Sequence, residues 1–330
     1  LNKMKLVIGG RIMKTGIAVF LTALICQLLH WPAMFAVITA IVTIEPTAAD
    51  SIKKAFVRFP ASAIGAGYAA LFGYLMNDRP ITYAIVTLLT IFTCTKLRLD
   101  AGTLVATLTG IAMIPTIHDH YVSSFFIRLG TTSIGLIVSS LVNVFVMPPQ
   151  YIESISARLH ELFRNTGILL EKRGQELINL QELHHETNKL FQDIQGNIEK
   201  TETMFTFQKK EWMFHRTTRE KLHEYHQEMK KFNILKQIVN RFENLIHLPS
   251  TNVHLTKKEY ELLNHMFQSL KEIIHHQQFH VDDRLHHVMN ELFTYFRKEP
   301  LSMKNLVHGK DLILFELLSI GFLLGEIKNN

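Results

Sequence analysis

Cysteine is nearly absent from this 330-residue sequence: only Cys26 and Cys94 occur, both inside apolar runs. Two such thiols build neither a disulfide framework nor a zinc site by themselves, and they read as small buried side chains. A Gly-rich phosphate loop ending in Lys-Ser/Thr is missing, which argues against ATP-driven work by this chain. Gly9-Gly10 lacks the strand-turn-helix setting of a dinucleotide site. No nucleophile with a paired base stands out, so the reading is not an enzyme and calls for no cofactor. Charge is scarce in one half only. Residues 1–150 hold 11 Lys/Arg and five Asp/Glu, whereas residues 151–330 hold 24 of each. The whole net charge of +6 therefore lies in the apolar half. That pattern excludes a plain soluble globule and argues against nucleic-acid binding.

What the first half does contain is apolar runs, at about 12–29, 32–47, 60–76, 80–96, 101–117 and 122–147. Polar or turn-forming breaks separate them, among them His30-Trp31-Pro32, Asn77-Asp78-Arg79-Pro80 and His118-Asp119-His120. Several runs are short for a hydrocarbon core of roughly 30 Å. The expectation is all-α, with about six short transmembrane helices in residues 1–149 and a cytoplasmic all-helical domain in residues 150–330. Basic residues precede the first run, but no small-x-small cleavage site follows, so a retained span is expected rather than a signal peptide. With a cytoplasmic N-terminus the inner stretches carry nine Lys/Arg and the outer loops only Arg79. This positive-inside bias places both termini in the cytoplasm. Asp50 to Pro60, with Ile52, Ala55, Phe56 and Phe59 on one face, reads as a short interfacial amphipathic helix.

The second half changes character. One apolar seam runs from Leu180 and Leu183 to Phe205, another from Leu222 to Ile246, and both have coiled-coil-like spacing. Thr256-x-x-Glu259 forms a capping box that opens a helix over 257–276. A further helix ends before Pro300, and the last, about 303–327, reads as a buried bundle helix. The total is five or six helices with no strand signal. Fifteen of the 18 histidines lie here, including His184-His185, His275-His276 and His286-His287, with His276 and His280 one turn apart. Without a third ligand at metal spacing they read as polar surface groups, and no metal site is expected.

Small residues mark two helix faces: Ala61, Gly65, Ala69 and Gly73 in the third run, and Gly102, Ala106 and Gly110 in the fifth. They fit close helix packing or a narrow substrate path. Ionisable groups within apolar spans are costly and so mark possible function. They are Lys14, Glu45, Arg58, Asp100 and Arg128. Arg128 fits either bidentate binding of a carboxylate or snorkelling to the outer headgroups. Glu45 and Asp100 fit either proton carriers or ion-pair partners of nearby bases.

Trp31-Pro32-Ala33 to Thr39, then Glu45-Pro46-Thr47-Ala48-Ala49-Asp50-Ser51, then Arg58-Phe59 to Gly65-Ala66-Gly67 carry a resemblance. The first half resembles the membrane domain of the aromatic acid exporter family, among the fusaric-acid-resistance-like transporters. The second half resembles the helical cytoplasmic domain that accompanies it in Gram-positive bacteria. The resemblance implies an inner-membrane secondary transporter that exports small aromatic carboxylates or related organic anions. It also implies an oligomer, since one six-helix unit stands where larger relatives have two. A membrane-anchored scaffold or sensor that binds a cytoplasmic protein partner is the alternative. In either case membrane lipid is a partner.

Overall fold

A computed structural model describes residues 2–116, 121–250, 253, 255–276, 283–297 and 309–328. The described residues form α-helices joined by short links, and they fall into two compact units. One contains residues 1–150 together with 207–216, and the other residues 151–206 and 217–330.

The first unit is built from α1 (Asn2–Leu28), α2 (Ala33–Thr43), α3 (Ala48–Met76), α4 (Pro80–Lys96), α5 (Asp100–Met113) and α6 (Tyr121–Phe145). Three of these are long and apolar enough to cross a membrane: Gly10–Leu28 within α1, α3 and α6. The others are shorter apolar helices. Pro80 opens α4 at a position where a missing N–H costs nothing, because that donor lacks an intrahelical acceptor anyway. His118, Asp119 and His120 lie outside the described residues.

The sequence-based expectation of a separate amphipathic helix ending at Pro60 is incorrect. Helix α3 runs unbroken from Ala48 through Pro60 to Met76. Its start is strongly fixed: Thr47 is the N-cap, its hydroxyl accepting from the Asp50 N–H at 3.1 Å. Neighbouring helices in an apolar bundle support the interior proline, so it does not end the helix.

Helices α3 and α5 meet through small residues. Ala61, Gly65, Ala69 and Gly73 are buried on α3, as are Gly102, Ala106 and Gly110 on α5. A methyl group added at Gly65 would lie 2.1 Å from the Ala106 carbonyl oxygen, so only glycine allows this approach. Cys26 and Cys94 are buried free thiols.

The second unit contains α7 (Ile152–Ile178), most of α8 (His185–Glu211), α9 (Arg219–Ile246), α10 (Lys257–His276), α11 (Asp283–Arg297) and α12 (Gly309–Lys328). The first seam begins later than its spacing implies. Leu180 sits in a turn at φ 56° and Leu183 in the link before α8. Helix α7 stops there because the Gln181 N–H bonds back to the Glu176 carbonyl at 2.7 Å, closing a Schellman-type end. The second seam holds from Tyr225 onward, with Tyr225, Phe232, Leu235, Val239, Phe242 and Ile246 buried, whereas Leu222 at its start is exposed and Met229 only half-buried. The capping box forms as expected. The Thr256 N–H donates to Glu259 Oε2 at 2.6 Å and the Glu259 N–H to Thr256 Oγ1 at 3.3 Å. His280 lies outside the described residues. Among the described residues, no group of three or more His, Cys, Asp or Glu assembles as a metal site.

Candidate functional site

Inside the first unit the buried polar groups form a line through otherwise apolar helices. At one level α2, α3, α5 and α6 meet around Arg128. Its guanidinium carbon lies 3.6 Å from the centroid of the Phe35 ring, and Nη2 donates to Thr109 Oγ1 at 3.1 Å. Thr109 contacts Ser62 Oγ at 3.1 Å, and Ser62 in turn contacts Thr132 Oγ1 at 3.4 Å. Arg128 is only 6% exposed, yet among the described residues its Nε and Nη1 have no hydrogen-bond partner. A guanidinium brings five N–H donors and no acceptor, so most of its donors here are unused. Leaving buried donors unmet costs free energy, which an anion with two acceptor oxygens would recover. The burial places Arg128 among protein groups.

A second level lies near the start of α3. Arg58 is one turn from Ser62, and its Nη2 meets Glu45 Oε1 at 2.7 Å while Nε donates to the Ala101 carbonyl at 3.2 Å. Glu45 also pairs with Lys54 at 2.8 Å. Glu45 and Arg58 thus form an ion pair that ties the end of α2 to α3. Asp100 is exposed in the first turn of α5, a favourable place for a carboxylate beside unpaired N–H groups. Lys14 is buried and donates to the carbonyl and Oδ1 of Asn143, at 3.1 and 2.9 Å. Of the five ionisable residues singled out in the sequence, Arg58 and Glu45 come together. Lys14 and Arg128 hold separate positions. Asn143 and Arg128 lie on the same helix 15 residues apart, about 22 Å along its axis.

Several members of this arrangement escape a reading of the sequence. Asn143 Nδ2 donates to the carbonyls of Glu45 and Thr47 and to Ser51 Oγ, the last at 2.7 Å. It is the hub that joins α1, α2, α3 and α6. The largest omission is the segment 207–216. Lys210 pairs with Asp50 at 2.8 Å, and Glu211 Oε1 accepts the Ala48 N–H at 2.8 Å. Trp212-Met213-Phe214, an apolar cluster directly after Lys209-Lys210-Glu211, is the one signal that could have drawn attention to it.

Residues 6–146 match the model of aromatic acid exporter family member 1. The N-terminal portion of the chain is thus similar to the aromatic acid exporter family. Similarity to relatives extends over nearly the whole chain, which belongs to the UPF0421 protein family. A UPF0421 protein of Bacillus cereus is 41% identical over 330 residues, covering 98% of this chain and 93% of that protein. One from Oceanobacillus iheyensis is 40% identical over 329 residues, covering 96% and 94% of the two chains. One from Staphylococcus aureus is 37% identical over 318 residues, covering 96% and 95%. With its apolar helices, the chain is a bacterial membrane protein. The matched residues 6–146 include Arg128, Arg58 and Lys14.

Proposed function

We propose that this protein is a secondary transporter that exports small aromatic carboxylates or related organic anions. All six helices α1 to α6 embed in the inner membrane, with both termini and the second unit in the cytoplasm. The observation that carries the reading is Arg128: a guanidinium buried in an apolar bundle with Nε and Nη1 unpartnered. Its charge attracts an anion, its free N–H groups match two carboxylate oxygens, and Phe35 beneath it offers an aromatic wall. Ser62, one turn from Arg58 on α3, and Thr109 carry polar contacts to Arg128. Exposed basic groups near the inner ends, such as Lys53, Lys96 and Arg98, would concentrate anions at the cytoplasmic entrance. The narrow α3–α5 contact suits a bundle whose two-state movement exposes this line to either side. Assembly as a homo-oligomer completes the path for a single six-helix unit.

The test is flux of labelled aromatic acids in proteoliposomes under a controlled pH gradient, comparing intact protein with Arg128→Ala. Gradient-dependent flux that is lost in the variant while folding and orientation persist supports the reading. Equal flux by both removes Arg128 from the path. No flux of any compound by correctly oriented protein favours the scaffold alternative.

A further inference from the structure

Glu211 and His215 lie one helical turn apart in the segment that packs with residues 1–150. Glu211 is 2% exposed. His215 Nε2 lies 2.8 Å from the Val144 carbonyl oxygen. A carbonyl only accepts, so Nε2 must carry a hydrogen, and a neutral ring then presents the bare lone pair of Nδ1. That nitrogen lies 3.1 Å from Glu211 Oε2. A bare ring nitrogen this close to a carboxylate oxygen is electrostatically unfavourable, and among the described residues neither atom has a hydrogen-bond partner. The contact becomes attractive only when one proton sits on either the ring or the carboxyl group.

We propose that Glu211 and His215 hold one exchangeable proton between them, forming a proton-binding site where α3 begins. Proton arrival converts an anionic carboxylate beside a neutral ring into an imidazolium–carboxylate pair, or its neutral equivalent. Proton release leaves a buried negative charge. The groups around the pair are few. Lys14 of α1 contributes positive charge, but its amine is already bonded to Asn143. From α3 come the Ala48 N–H on Glu211 Oε1 and Asp50, which is held by Lys210. Lys54 and Arg58 are engaged by Glu45 at the end of α2. From α6 come Asn143 and the carbonyl of Val144. Burial raises the Glu211 carboxyl above its ordinary value, despite the opposing Ala48 N–H, His215 and Lys14, which eases protonation.

The position gives the proton mechanical consequence. Glu211 supplies an acceptor to the first N–H of α3, a group with no intrahelical partner. Helix α3 also carries Arg58 and Ser62, so the proton state of the pair bears on the element that lines the polar path. This coupling rests on the export reading; the proton site itself does not.

The deciding experiment is NMR of the full chain in lipid nanodiscs, with 15N-histidine and 13C-carboxyl-glutamate labels assigned by His215→Gln and Glu211→Gln. The expected result is that His215 and Glu211 resonances move over one shared pH interval while Nε2 stays protonated. In Glu211→Gln, the His215 movement over that interval is lost. Movement over separate intervals, or an unchanged His215 response in Glu211→Gln, overturns the proposal. Should either variant fail to fold, the shared or separate movement in the wild type decides, with assignment by the remaining variant. A proteoliposome arm then tests the coupling. Glu211→Gln and His215→Gln are expected to lose stimulation by a pH gradient while downhill exchange persists, and retained stimulation in both overturns coupling through this pair. Absence of wild-type flux counts against the export reading alone, because the NMR result stands independently of transport.

Discussion

Arg173 and Arg128 are both buried in helical surroundings, at 1% and 6% exposure, but their hydrogen bonding differs completely. In the second unit, Arg173 of α7 spends its guanidinium on structure. Nε donates to the Leu245 carbonyl at 3.0 Å, Nη2 to those of Ile246 and Leu248, and Nη1 to Glu176 at 3.1 Å. These carbonyls close the end of α9, where backbone acceptors lack helical donors and a cation is favoured. Glu176 is held in turn by His184 and Thr187. In the first unit, among the described residues, Arg128 hydrogen-bonds to Thr109 and leaves Nε and Nη1 without a partner. A saturated buried arginine is a structural tie. An unsaturated one keeps donors that the fold itself does not use up.

Removing each arginine should therefore fail in a different way. Arg173→Ala leaves Glu176 buried without its charge partner and uncaps α9, with an expected cost of about 3–5 kcal/mol. A large fall in the unfolding midpoint of the full chain, followed by far-UV circular dichroism, checks it. A change of under about 1 kcal/mol would place Arg173 with ordinary surface pairs. Arg128→Ala should hardly move that midpoint but should weaken anion transport roughly 10- to 100-fold, the range for losing charge-assisted hydrogen bonds. If stability collapses and anion affinity does not change, the two arginines are alike after all.

Two carboxylates extend the contrast to pH. Burial opposes the charge of Glu176, but Thr187, His184 and Arg173 outweigh it and lower its pKa. Its contribution to stability is present above the ordinary carboxylate range and is lost as pH falls through the lowered folded-state value. For Glu211 burial prevails and the pKa is raised. Its contribution is greatest below the ordinary value and is lost as pH rises through the folded-state value. Relative to wild type, Glu176→Gln should lose its stability deficit on acidification. Glu211→Gln should lose stability relative to wild type over the same change. Unfolding midpoints against pH check both signs, and parallel curves would remove the distinction.

Local signals account for what the sequence made legible. Pro80, the polar break before it and Lys96 bound α4 correctly because helix ends depend on nearby chemistry. Thr256 and Glu259 act across three residues, and both bonds of the box form. The break expected at Pro60 was misleading because the support for α3 comes from other helices. Asn143 and Glu211 were missed for a related reason. The partners of Asn143 are 92 to 129 residues away and the Ala48 partner of Glu211 is 163 away, and no periodicity encodes such a contact. Arg128 stood out as a charge in an apolar run, but its unused donors became visible only when Thr109 and Phe35 were placed around it.

The smallest expected effect comes from the two helix starts, which separate local capping from capping at a distance. Helix α10 is closed by its own box, with Thr256 Oγ1 accepting the Glu259 N–H and Glu259 returning to the Thr256 N–H. Helix α3 combines a local Thr47 cap with Glu211 on the Ala48 N–H. Thr256→Ala removes one acceptor and leaves the Glu259 bond in place, so a loss of about 1 kcal/mol is expected. Thr256→Ser keeps the hydroxyl and should restore most of it. The loss should not depend on whether Glu211 is present, because nothing in the box of α10 draws on that carboxylate. A double-mutant cycle of Thr256→Ala with Glu211→Gln, read from unfolding midpoints, should therefore be additive within about 0.5 kcal/mol. A larger coupling would mean that the start of α10 responds to the carboxylate that caps α3, and the division into local and distant caps would fail.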